Sequence, residues 1–121
     1  MKLLIISAIL LVLIDSIYLY NVSGHFNKLI KKIQNRNITL DFYSLILCYS
    51  FLVFGLYYFI IKENRSVFDA FLLGIVIYGV YETTNKAILK SWNWFTVILD
   101  TLWGGILFAT TTHFTYKLKN L

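Results

Sequence analysis

Three of the chain's six acidic residues stand inside long apolar stretches, where an ionisable side chain is costly to keep. They are Asp15, Glu82 and Asp100. An ionised Asp at the centre of a membrane-spanning helix costs roughly 2.5–3.5 kcal/mol on insertion scales, and less near the interface. Acids in such places typically pair with one another or serve a proton, an ion or a polar ligand. Their placement therefore predicts a polar site inside an apolar protein.

The elements that must hold these acids are four apolar runs, each long enough to cross a membrane. A transmembrane helix needs about 20 mostly apolar residues, and the runs cover about residues 3–21, 39–61, 67–86 and 94–116. Only 14% of the residues are charged, against roughly a quarter in soluble domains, so the bilayer is the expected solvent. We predict an all-α integral membrane four-helix bundle that forms a single multi-pass domain over residues 1–121.

Helix rise places the three acids at similar depths. We call the membrane face that carries the N-terminus, the 62–66 turn and the C-terminus side A, and the opposite face side B. At about 1.5 Å per residue, Asp15 and Asp100 lie about 9 Å from the side-B ends of their spans, and Glu82 about 6 Å. Three bare carboxylates would repel, so at least one is expected to be protonated or counter-charged. Lys86, four residues after Glu82, is the nearest candidate cation.

Helical spacing supplies each acid with polar and aromatic neighbours that can donate hydrogen bonds. Tyr78, Glu82 and Asn85 are spaced by four and three residues, and Asp100 and Trp103 by three. Tyr43 and Ser44 of the second span are expected near the same level. The predicted polar pocket consists of Asp15, Tyr78, Tyr81, Glu82, Thr84, Asn85, Asp100 and Trp103.

The pocket is compatible with three classes of function. Binding or transport of a proton, a cation or a polar or cationic small ligand is the interpretation we favour, because the acids converge without a nucleophile–base pair. A membrane-embedded enzyme or enzyme subunit acting on lipid would use Glu82 and Asp100 as an acid–base pair. A structural or assembly protein would need no ligand. Carboxylates alone can hold a hard cation, whereas an iron or zinc site is not expected without histidine, and no cofactor is assigned.

The connection between the first two spans is basic and amphipathic. Apolar residues recur at helical spacing on one face: Phe26, Leu29, Ile30 and Ile33. The basic residues Lys28, Lys31, Lys32 and Arg36 occupy the other face. We predict a short interfacial helix at about residues 25–36 that binds anionic lipid headgroups. The net charge of +5 is spread between the apolar runs, so no nucleic acid partner is expected.

The basic connection predicts the orientation of the protein in the membrane, and the glycines predict its assembly. The basic segment favours side B as the cytoplasmic side, which places both termini together on the non-cytoplasmic side. Glycines lie in the third and fourth spans at positions 74, 79, 104 and 105. Small residues let helices approach closely in lipid, so a homo-oligomer is also predicted.

The stretch FLLGIVIYGVYETTNKAILKSWNWFTVILDTLWGGIL at residues 71–107 resembles the bacterial four-span membrane-protein family catalogued as Domain of Unknown Function 2177. That family typically reads GxxxYGxYDLTNxAxLxxW, followed by DxxWG in a fourth span. The matching positions here are Gly74, Tyr78, Gly79, Tyr81, Glu82, Thr84, Asn85, Ala87, Leu89 and Trp92, then Asp100, Trp103 and Gly104. Glu82 replaces the family's usual Asp, and Asp15 corresponds to an acid in its first helix. The resemblance implies four spans and leaves the activity open.

Overall fold

The computed structural model describes residues 1–34 and 41–119, and these form four α-helices. Helix α1 covers Lys2–Gln34 and α2 covers Phe42–Leu56, extended by a π-helical turn at Tyr57–Ile61. Helix α3 covers Val67–Ile88 and α4 covers Trp94–Leu118. All four helices, with the π-helical turn counted in α2, are long and apolar enough to span a membrane. The predicted all-α, four-span architecture is confirmed.

The first helix is longer than its predicted span. The separate interfacial helix expected at about residues 25–36 is instead the C-terminal part of α1, and Arg36 lies outside the described residues. At 33 residues α1 is about 50 Å long, well beyond a hydrocarbon core of about 30 Å. No proline interrupts it. The row of α1 residues that faces the other helices continues from Tyr18 through Val22 to Leu29.

The apolar face of this C-terminal part does not lie against lipid. Leu29, Trp92 and Val97 are buried together, and Phe26, Ile30 and Ile33 pack around them. The segment therefore packs on the turn between α3 and α4. Its basic side chains Lys28, Lys31 and Lys32 are exposed, and their binding to anionic lipid stays a prediction.

Three helices begin at residues whose side chains cap the free backbone amides. Asp41 accepts from the amides of Tyr43 and Ser44 at the start of α2. Ser66 accepts from the Asp69 amide before α3, and Asn93 accepts from the Thr96 amide before α4. Each cap satisfies a donor that the first helical turn leaves unpaired. The hydrogen bonds from Ser44, its hydroxyl above all, lower the pKa of Asp41 below its ordinary value of 3.8.

Helices α3 and α4 form the closest helix pair, and glycine makes the approach possible. A Cβ atom at Gly74 would lie 2.7 Å from the Gly104 carbonyl carbon and 3.0 Å from the Gly105 Cα. A Cβ atom at Gly104 would lie 2.6 Å from the Tyr78 Cβ. Gly74, Gly104 and Gly105 are thus used inside the chain, and homo-oligomer formation stays a prediction.

Helix α4 lies at the centre of the protein. Half of its most apolar stretch is buried, against 17–22% in the other three helices. Leu107 and Phe108 of α4 pack with Leu11 of α1 and Leu56 of α2, all fully enclosed. The Tyr116 hydroxyl donates to the Arg65 carbonyl at 2.6 Å, which ties the end of α4 to the turn before α3. This core fixes the helices around the acidic side chains.

Candidate functional site

Asp15 of α1 is enclosed by donors from two other helices. The Tyr49 hydroxyl of α2 donates to Asp15 Oδ2 at 2.5 Å. The Trp103 indole of α4 donates to Asp15 Oδ1 at 2.9 Å. Asp15 is 6% exposed, so both oxygens are removed from solvent and each has a donor. Such bonds compensate for burial of a polar group.

Asp100 of α4 is joined to Asp15 through a pair of stacked rings. The Tyr18 hydroxyl donates to Asp100 Oδ1 at 3.1 Å. The Tyr18 ring stacks on Trp103 with centroids 4.3 Å apart and planes 5° apart. Each ring therefore serves a different acid, and the stack stands between them. Asp15 and Asp100 are still close enough for their charges to interact.

Glu82 of α3 meets the same network from the side-B end. It is fully buried, and the Trp92 indole donates to its Oε1 atom at 2.8 Å. Its Oε2 atom has no hydrogen-bond partner among the described residues, and its carboxyl group is close enough to that of Asp100 for the two to interact electrostatically. An ionised carboxylate can only accept hydrogen bonds. Contact between the two carboxyl groups is therefore a hydrogen bond only when one of them holds a proton.

The three buried acids and four aromatic side chains thus form one network, which we call the carboxyl network: Asp15, Tyr18, Tyr49, Glu82, Trp92, Asp100 and Trp103. It draws donors or acceptors from all four helices and from the α3–α4 turn. The expected counter-charge is absent from it, because the Lys86 ammonium lies over the Trp94 ring at 5.4 Å and makes no ion pair with Glu82. A salt bridge joins Arg65 to Asp69 at the start of α3, far from these acids in the sequence.

The remaining predicted pocket residues are placed differently. Tyr78 is half-buried near Asp15 and Asp100, with its ring against Gly104, and its hydroxyl makes no hydrogen bond to the other described residues. Asn85 is half-buried one turn beyond Glu82. Tyr81 is 57% exposed and Thr84 is exposed. Since successive helical residues turn by about 100°, both leave the inward face that Glu82 occupies.

Three members of the carboxyl network were not among the predicted pocket residues. Tyr18 and Trp92 are of the residue types that typically anchor span ends at the membrane interface, yet Trp92 is 3% exposed. Tyr18 follows Asp15 by three residues, a spacing that could have identified it. On α2 the network uses Tyr49, whereas Tyr43 is 84% exposed and Ser44 bonds to Asp41.

A second polar contact fixes the outer part of α1 to the start of α4. His25 Nε2 lies 2.8 Å from the Thr96 hydroxyl oxygen. That hydroxyl donates to Asn93 Oδ1 at 2.8 Å, so it accepts from His25, and Nε2 carries the hydrogen. The contact holds α1 against α4 beyond the carboxyl network.

Among residues 1–34 and 41–119, no three His, Cys, Asp or Glu side chains come together in a way that could hold a metal ion. The Tyr18–Trp103 stack separates Asp15 from the other two acids. The hard-cation site that three carboxylates could form is therefore not assembled here.

Fold and site together define a four-span membrane protein with a buried carboxyl network. A family profile described as "Predicted membrane protein (DUF2177)" matches residues 1–117. The chain belongs to this family, as its third and fourth spans indicated. No curated protein and no solved structure matches the chain.

Proposed function

We propose that this protein binds a proton within the membrane and exchanges it with the aqueous phase. The proton is held between Glu82 and Asp100. The observation that carries the proposal is the burial of these two neighbouring carboxyl groups from α3 and α4, with the Glu82 Oε2 atom lacking a hydrogen-bond partner among the described residues. Two carboxyl groups this close cannot both ionise readily, so they share one proton.

The enclosure of the pair favours a proton over a larger ligand. Glu82 is 0% exposed and Asp100 is 7% exposed, so a lipid headgroup or a hydrated cation has no room to reach them without helix movement. A proton needs only a chain of hydrogen-bonding groups. The Tyr18 hydroxyl, which can both donate and accept, bonds to Asp100, and the Tyr78 hydroxyl nearby has no partner among the described residues.

Asp15 sets the electrostatic environment of the shared proton. It accepts hydrogen bonds from Tyr49 and Trp103 and interacts electrostatically with Asp100. We propose that Asp15 carries a charge, which disfavours a second charge on Asp100. Loss of the Asp15 charge should therefore make the pair easier to ionise, so Asp15→Asn is expected to weaken proton binding without breaking the Glu82–Asp100 contact.

A purely structural role is the second candidate, and a specific observation favours it. The hydrogen bonds of the carboxyl network join α1 to α2 and to α4, and α3 to the α3–α4 turn, which would stabilise the bundle with no ligand at all. The two roles differ in what neutral substitutions do. A structural network predicts reduced stability alone, whereas proton exchange predicts a changed response to pH as well.

Infrared spectroscopy of the protein in lipid nanodiscs tests the shared proton directly. The carbonyl stretch of a protonated carboxyl group should be present at neutral pH and shift in heavy water. It should disappear in Glu82→Gln and in Asp100→Asn, and persist in Glu63→Gln, since Glu63 is exposed in the side-A turn. A wild-type protein without this band at neutral pH would show that both carboxyl groups are ionised, and the proposal would fail.

Proton exchange across the membrane is tested in vesicles loaded with a pH-sensitive dye. An imposed membrane potential should drive proton entry that depends on the protein, and Glu82→Gln should abolish the dependence. Equal entry with wild-type and Glu82→Gln protein, together with a normal carbonyl band, would assign the network a structural role.

The lysines at 28, 31 and 32 are proposed in addition to hold side B against anionic lipid.

A further inference from the structure

The C-terminal part of α1 packs in a hydrophobic cluster of its own. The larger cluster of the protein joins Leu11 of α1 to buried residues of the other helices. The smaller one consists of Leu29, Trp92 and Val97 with their partly buried neighbours. We call residues 25–33, which form the α1 side of the smaller cluster, the outer segment. Since the two clusters share no member among the described residues, the outer segment can move without breaking the larger core.

Trp92 connects the outer segment to the carboxyl network. Its indole donates to Glu82 Oε1 at 2.8 Å. It stands in the turn on the side-B side of Glu82, where its backbone amide donates to the Leu89 carbonyl at 3.0 Å. The Phe26 and Trp92 rings pack with centroids 6.2 Å apart, and Leu29 is buried against Trp92. Trp92 therefore lies between Glu82 and side B, and the outer segment covers Trp92.

The outer segment is fastened at its first residue and is preceded by a weak point of the helix. His25 Nε2 lies 2.8 Å from the Thr96 hydroxyl oxygen. Directly before it, the Ser23 hydroxyl donates to the Tyr20 carbonyl at 3.1 Å, and a Cβ atom at Gly24 would meet no atom within 4 Å. Packing therefore does not require glycine here, and glycine is the weakest helix former after proline. Gly–Ser pairs are common positions of helix bending, so this pair is the expected hinge.

We propose that the outer segment is a lid that opens at Ser23 and Gly24 and controls access from side B to Glu82. In the closed lid, Phe26 and Leu29 are positioning residues that hold Trp92 on the Glu82 carboxyl group. In the open lid, Trp92 is released and water from side B reaches Glu82, so a proton can enter or leave. The route of the proton rests on the proposed function, whereas opening of the lid is measurable without it.

Hydrogen exchange at the tryptophan indoles measures the opening. Solvent deuterium replaces the buried Trp92 Nε1 hydrogen only after the lid opens, and nuclear magnetic resonance in lipid nanodiscs follows each indole separately. Leu29→Ala removes most of a side chain from the smaller cluster. It should accelerate exchange at Trp92 about thirtyfold, the factor that the low end of buried Leu→Ala losses gives. Exchange at Trp103, which donates to Asp15 in the middle of the bundle, should not change.

Three more variants complete the series. Phe26→Ala should act in the same direction as Leu29→Ala. Gly24→Ala strengthens the hinge without a clash and should slow exchange at Trp92 by up to about fivefold. Ile17→Ala is the matched control, because it removes a side chain of the same size as Leu29→Ala from a position on α1 that is 65% exposed. It should leave exchange at both indoles unchanged.

The rate at which the protonated-carboxyl band shifts in heavy water tests the route of the proton. In Leu29→Ala this shift should accelerate by the same factor as exchange at Trp92, and an unchanged shift would overturn the lid as the route. Equal acceleration at Trp92 and Trp103 would overturn the lid itself, and so would unchanged exchange at Trp92 in folded Leu29→Ala and Phe26→Ala. A wild-type protein without the carboxyl band would refute the shared proton, while exchange at Trp92 would still decide whether the lid opens.

Discussion

Gly74→Ala should separate α3 from α4 and destabilise the protein. The added Cβ would lie 2.7 Å from the Gly104 carbonyl carbon, about 1 Å inside ordinary carbon–carbon contact. The opposing atoms are backbone, so no side-chain rotation relieves the overlap. Overpacking typically costs 1–3 kcal/mol, and Ala in place of Gly regains up to about 1 kcal/mol of helix propensity. Because backbone atoms cannot move aside, we take the upper end of the overpacking range and expect a net loss of about 2 kcal/mol.

Gly79→Ala is the matched control on the same helix. Its Cβ would lie 3.6 Å from the Thr101 Cγ2, which is ordinary contact, so the change should be neutral or stabilising by up to about 1 kcal/mol. Reversible unfolding by dodecyl sulfate in mixed micelles, followed by circular dichroism, measures both variants. Gly74→Ala should unfold about 2–3 kcal/mol more easily than Gly79→Ala.

Gly74→Ala should also perturb the geometry of the carboxyl network. Gly74 and Glu82 lie eight residues apart on one helix, about 12 Å, so a shifted α3 moves Glu82 relative to Asp100. The protonated-carboxyl band should weaken in Gly74→Ala and stay in Gly79→Ala. Equal stability and equal spectra in the two variants would refute the close α3–α4 packing as the support of the site.

Two further changes test the parts around the network. Trp92→Phe removes the donor to Glu82 Oε1 and should lower the free energy of unfolding by about 1–3 kcal/mol in the same assay. Trp94→Phe, at an exposed position, should change it by no more than about 0.5 kcal/mol. Equal losses in the two variants would contradict the burial of the Trp92–Glu82 hydrogen bond. The Asp41 cap stabilises α2 fully above pH 3.8 and loses this effect as the pH falls through its lowered pKa. Below that pKa, amide exchange at the start of α2 should therefore become faster in the wild type relative to Asp41→Asn, whose capping side chain does not titrate. Parallel profiles of exchange rate against pH in the two proteins would contradict the cap.

Hydropathy predicted the spans well because the bilayer imposes a minimum length on every crossing helix. The third and fourth spans were expected at about 67–86 and 94–116 and are found at Val67–Ile88 and Trp94–Leu118. The continuity of α1 beyond residue 21 was not predicted, because the basic, amphipathic residues at about 25–36 were interpreted as a separate interfacial helix. The inward stripe of α1 continues from Tyr18 through Val22 to Leu29, and this register was the signal for one unbroken helix.

The similar depth of the acids was estimated from helix rise and stays a prediction, while three of their four donors, Tyr18, Tyr49 and Trp92, were not identified. Counting from the predicted start of the second span at residue 39 pointed to Tyr43. Counting from the observed start at Phe42 places Tyr49 about 10 Å along α2, close to the 9 Å expected for Asp15. Trp92 could not be assigned this way, because the path of a turn is set by tertiary packing and not by helix rise.

The indole hydrogen bonds give the protein internal optical reporters. Trp103 donates to Asp15 and Trp92 donates to Glu82, while Trp94 is 62% exposed. Indole emission responds to nearby charge, so the two enclosed tryptophans sense two different carboxyl groups. In a Trp94→Phe background, the emission wavelength and lifetime of the remaining fluorescence should follow the ionisation of Asp15 and Glu82 without any added label.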